Sequence, residues 1–68
     1  MENNLQIFSY TLSDENQSPL IFKGYIIEIR DSYITVYIEE IIAEGDFSII
    51  WPGRSYNFDI NYLKIREE

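Results

Sequence analysis

From Tyr25 to Ile38, apolar side chains recur at every second position on either side of Asp31-Ser32. Folded about a two-residue turn there, the stretch sets Ile29 against Ile34, Ile27 against Val36 and Tyr25 against Ile38. Glu28 then meets Thr35, Ile26 meets Tyr37, and Arg30 lies beside Tyr33. One face is apolar and the other mixed, as a half-buried antiparallel hairpin requires. Asp-Ser lacks the Gly that a type I′ turn favours, so a four-residue loop in the same register stays open. A helix over about 33–44 competes, because Ile34, Tyr37, Ile38, Ile41 and Ile42 follow i, i+3, i+4, i+7 and i+8. Ser32 would be its N-cap and Gly45 its C′ residue. Against the helix, ITVYI is β-branched or aromatic throughout, at about a few tenths of a kcal/mol per residue. So short a helix is also marginal without strong formers. The strand is preferred, and where its alternation fails, at Glu39-Glu40, a bulge or frayed end is expected.

The rest of the chain reads in the same terms. LQIFSYTL, residues 5 to 12, puts Phe8, Tyr10 and Leu12 on one face and Leu5, Ile7 and Ser9 on the other. That is a strand covered on both sides, or one that pairs at a closure. SDENQSP, 13 to 19, is a polar loop, and LIFKGYIIEIR, 20 to 30, is a strand in which Gly24 marks a bulge or bend. AEGD, 43 to 46, is a turn around Gly45, and PGRS, 52 to 55, is another. Between them FSIIW, 47 to 51, is predicted as a short strand holding Phe47, Ile49 and Trp51 together. In YNFDINYLKI, Tyr56, Phe58, Ile60 and Tyr62 are evenly spaced while Leu63 and Ile65 change parity. A short helical turn near Asp59 to Asn61 therefore splits the piece, and REE closes it as a charged tail.

Composition narrows the class. Sixty-eight residues make one small domain, 1–68, burying only about 60 % of its unfolded surface. The chain has no cysteine and no histidine, so disulfides, the usual zinc ligands and the usual general base are all missing. Its apolar fraction of 46 % argues against disorder despite a net charge of −7, and the apolar set is Ile, Tyr, Phe and Val rather than Leu and Ala. The expected class is all-β. MENNLQIFSY lacks the features of a signal peptide, and no apolar run approaches the ~20 residues of a membrane span. A soluble, cytoplasmic protein is expected. Twelve acids against five bases would repel a phosphate backbone or an anionic membrane, so neither is an expected partner.

Gly24, Ile27 and Ile29, then Ile34, Val36 and Ile38, then Asn61-Tyr62-Leu63 follow an order that resembles SH3-like small barrels, the group that includes Tudor and KOW-type modules. The resemblance covers about residues 20 to 66. It implies a small five-stranded barrel whose last strand is entered through a 3₁₀ turn. The ALYDY-type start and paired tryptophans of signalling SH3 domains are missing, so no proline-rich ligand groove is implied.

Three sets of residues are candidates for function. Glu39, Glu40, Glu44 and Asp46 are the densest acidic cluster. They read as a patch imitating phosphates for a basic partner or as a solvated rim that keeps a sticky domain soluble. EF-hand spacing is absent, and no metal, cofactor or catalytic residue is expected. Ile26, Tyr33 and Tyr37, beside Glu28, would form an acid-rimmed protein-binding face unless the N-terminal strand or a second subunit covers it. Trp51, Tyr56, Phe58 and Tyr62 would, by the Tudor resemblance, line an aromatic cage for a modified cation with Asp59 as counter-charge; otherwise they fill the core. Arg54 is either an anchor for an acidic group or solvated. The expectation is a non-enzymatic acidic protein-binding module, an inhibitor or adaptor occupying a basic, nucleic-acid-binding site on another protein. Its alternatives are a self-associating accessory subunit, such as a homodimer, and a small aromatic-cage binder.

Overall fold

The computed structural model describes residues 4–11, 18–47 and 50–66. It contains five strands: β1 (Gln6–Tyr10), β2 (Leu20–Ile29), β3 (Tyr33–Ala43), β4 (Ser55–Asp59) and β5 (Leu63–Arg66). All pairings are antiparallel, in one sheet of order β4-β3-β2-β1-β5. The all-β expectation holds. Residues 33–43 are strand, so the β-branched run outweighs the helical spacing of its isoleucines, and the α+β alternative falls. The split of the C-terminal piece also holds: β4 and β5 are separated by a turn in which the Tyr62 N–H donates to the Asp59 carbonyl, 3.1 Å.

The hairpin keeps its expected register only near the turn. Ile29 pairs with Ile34 and Glu28 with Thr35, and the Arg30 N–H donates to the Tyr33 carbonyl at 2.8 Å. Ile27 then has no partner: it is a bulge, after which Ile26 pairs with Val36, Tyr25 with Tyr37 and Gly24 with Ile38. The expected pairs Ile27–Val36, Tyr25–Ile38 and Ile26–Tyr37 are therefore corrected. One extra residue in a period-two strand exchanges the faces of everything beyond it. A second shift leaves Glu39 unpaired, in the place where the alternation breaks, and a third leaves out Ile42.

These shifts curl the sheet around an aromatic core. Phe8, Tyr10, Leu20, Phe22, Val36, Ile38 and Phe58 are buried. Phe22 stacks on Phe8 and on Phe58, with centroids 5.2 and 5.1 Å apart, and Phe58 meets Tyr10 edge-on at 4.8 Å. Phe58 lies on an edge strand three places from β1 in the sheet, so only strong coiling brings it to Tyr10. Gly24 permits a close backbone approach: a Cβ there would overlap the Tyr37 carbonyl oxygen across the ladder. The coil stops short of the expected closed barrel, because β4 and β5 remain the two edges of the sheet. Side chains bridge the gap instead, the Asp59 N–H donating to the Tyr10 hydroxyl at 3.2 Å.

Both predicted turns are present. Gly45 has φ +59° and the Phe47 N–H donates to the Glu44 carbonyl at 3.0 Å, while Gly53 has φ +83°. The strand expected at 47–51 is not found among the described residues: Phe47, Ile50 and Trp51 are irregular, and Ser48 and Ile49 lie outside them. Phe47 and Ile50 pack on the core as loop side chains, whereas Trp51 is 62 % exposed. The 13–19 loop, Leu12 and the final Glu-Glu lie wholly or largely outside the described residues.

Candidate functional site

The face of the sheet opposite the aromatic core collects charge and tyrosine. Cross-strand register gives one row Arg66–Ile7–Lys23–Glu40 and a second Lys64–Ser9–Ile21–Ala43. Toward the hairpin follow Tyr25–Tyr37–Ser55, Glu28–Thr35–Asn57 and Tyr33–Asp59. The Tyr25 and Tyr37 rings are 5.1 Å apart, and the Thr35 hydroxyl donates to Asn57 Oδ1 at 2.6 Å. Cross-strand pairs of this kind stabilise and order an exposed face.

Of the residues expected on this face, Glu28, Tyr33 and Tyr37 are there and Ile26 is not. Ile26 stands opposite Val36 and packs against the core, because the Ile27 bulge turns it inward. Tyr25 takes its place, and the strand pattern carried no sign of the exchange. Glu28 is ion-paired with Arg30, both well exposed, so its charge is locally balanced.

The acidic cluster divides in two. Glu39, Glu40 and Glu44 are exposed. Pairing of β3 with β4 ends at Tyr37–Ser55, and Ile38 makes the last contacts on that side, donating to the Arg54 carbonyl and accepting from Gly53. Among the described residues, β3 beyond Ile38 therefore has a ladder neighbour on one side only, with carboxylates along it. Asp46 does something else. Its Oδ2 accepts the Ser18 N–H at 3.1 Å and its own N–H donates to the Ser18 carbonyl at 3.2 Å, clamping two loops together. No three acidic side chains among the described residues converge as metal ligands would.

The four aromatics do not meet around one space. Phe58 is 2 % exposed in the core, and Tyr56 packs beside it with its hydroxyl accepting the Trp51 N–H at 3.0 Å. Trp51 and Tyr62 are exposed, on different turns. Asp59, the expected counter-charge, accepts the Asn61 N–H through Oδ1 at 2.9 Å, ordering the turn before β5. A core built from so few residues claims its aromatics first.

The positive residues are what sequence reasoning missed. All five lie among the described residues, with only seven of the twelve acids. Lys23, Lys64 and Arg66 share the outer face around Ile7 and Ser9. The parity of Lys64 and Arg66 is visible in the sequence, but the pairing of β5 with β1 is not. No helix among the described residues is long and apolar enough to cross a membrane. No protein-family model, curated protein or solved structure matches the chain.

Proposed function

We propose that the chain is a non-enzymatic protein-binding module of the cytoplasm, built as an open form of the SH3-like barrel. It presents an acidic, tyrosine-bearing surface to a basic site on another protein, as an inhibitor or adaptor standing where that protein would hold nucleic acid. The barrel reading is supported by the place of β1 between β2 and β5, the register shift and close backbone approach at Gly24 and the tight turn before β5. The functional reading rests on the exposed carboxylates of Glu39, Glu40 and Glu44 along the one-sided stretch of β3 and the turn after it. Three exposed carboxylates within six residues at the end of β3 concentrate negative charge on one short segment. With −7 on 68 residues, encounter with a basic site is accelerated at low salt.

Capture by the immobilised chain at low ionic strength, followed by a salt gradient and competition with a duplex oligonucleotide, tests this. The expected partner is basic, elutes with salt and is displaced by the oligonucleotide. Joint replacement of Glu39, Glu40 and Glu44 by Gln should abolish its capture. Capture of nothing, capture indifferent to salt, or full binding by the triple variant overturns the reading.

A further inference from the structure

We infer that the outer face of β5-β1-β2-β3 is a two-fold self-association surface on which a second copy of this chain docks face to face. Arg66 of each copy meets Glu40 of the other. The inference goes beyond the acidic-module reading and does not depend on it.

Charge order across the strands is the reason. In the row Arg66–Ile7–Lys23–Glu40, the β5 end is positive and the β3 end negative. Rotation by half a turn about an axis parallel to the strands, midway between β1 and β2, lays β5 of one copy over β3 of the other. Arg66 then faces the second copy's Glu40, and Ile7 faces the stem of its Lys23, each contact occurring twice. In the neighbouring row Ser9 faces Ile21, and Lys64 faces Ala43 beside the exposed Glu44. An axis across the strands would instead stack β5 on β5, setting Arg66 and Lys64 against like charges, so electrostatics selects one of the two face-to-face arrangements. Isologous two-fold pairing is also the commonest closed symmetry.

Three further features agree. The floor is Ile7, Ser9, Ile21 and Ala43, all half-buried, an apolar and small-polar surface on which a second sheet can rest. Arg30–Glu28 is the ion pair of the described residues, which leaves Lys23, Lys64 and Arg66 without one there. A chain of net charge −7 repels its own copy, and three of its five cations gathered on one face lower that repulsion there. Four strands about 4.8 Å apart and two rows deep make only a few hundred Å². That falls short of the roughly 800 Å² per partner of a standard interface, so the dimer is weak and concentration-dependent.

Sedimentation of the purified chain from about 10 μM to about 1 mM, a range that covers micromolar to millimolar dissociation constants, tests the inference. The wild type should shift from monomer to dimer. Arg66→Glu and Glu40→Arg should each weaken association at least about tenfold, like charges then facing across the two-fold axis. The double variant should recover it, because the exchanged charges again meet their opposites. Circular dichroism confirms that each variant is folded, and Glu40→Gln gives a milder second variant that should also weaken the dimer. Amide shifts on dilution should cluster at Ile7, Ser9, Ile21 and Lys23. A strict monomer at the top concentration, single variants that associate like wild type, or a folded double variant no better than the singles overturns the inference. Because no other protein is present, these outcomes leave the acidic-module reading to its own test.

Discussion

Gly24 carries the most demanding steric constraint in the fold. Its missing Cβ would fall on a backbone carbonyl, that of Tyr37, which cannot swing aside as a side chain would. Gly24→Ala should therefore cost about 1–3 kcal/mol through overpacking, read from the midpoint of urea unfolding. Phe58 is the hub of the aromatic core, touching Phe22, Tyr10 and Tyr56. Phe58→Ala should cost about 3–5 kcal/mol. In a domain of typical stability, about 5–15 kcal/mol, such a loss leaves little or no cooperative transition. Tyr10→Phe, which keeps the ring and removes the acceptor for the Asp59 N–H, should cost only about 0.5–1.5 kcal/mol. Gly24 was legible in the sequence because a lone glycine inside an apolar alternation seldom marks anything but a bend or a close backbone approach. Phe58 was not: its spacing fitted a pocket wall and a core ring equally, and only its contacts with other strands decide between them.

Strands were easier to read than their pairing. The run of β-branched and aromatic residues identified β3, and the break at Glu39-Glu40 located one bulge. The bulge at Ile27 stayed hidden because Tyr25-Ile26-Ile27 is apolar at every position, so alternation survives on paper in either register. The two registers make opposite predictions. With Ile26 packed on the core and Ile27 53 % exposed, Ile26→Lys should destabilise by at least about 2 kcal/mol. Ile27→Lys should stay within about 0.5 kcal/mol of wild type. Regular pairing would give the reverse order, and thermal unfolding of the two variants separates them. FSIIW misled for a different reason. Its composition suits a strand, but its described residues Phe47, Ile50 and Trp51 join no ladder, and Phe47 and Ile50 pack on the core from the loop between two turns.

For the molecule as a whole, charge and connectivity matter most. Net charge of −7 on a body of 11.3 Å radius of gyration sets carboxylates within about one Debye length of each other at moderate salt. Raising ionic strength from about 10 mM to about 0.5 M should therefore raise the melting temperature, by screening self-repulsion. A midpoint that falls would show that specific ion pairs outweigh the repulsion. The all-β class was legible from period and composition. Incomplete closure was not, since the tie between β1 and β4 is one hydroxyl and a group of rings rather than a ladder. The pairing of β1 with β5 brings Ile7 beside Arg66, so the chain enters and leaves the fold at neighbouring points. A surface loop of a host protein can thus accept the domain without being stretched apart. For the same reason a permuted chain, with its old ends joined by a short glycine linker and new ends cut between Asp31 and Ser32, should refold to the same sheet.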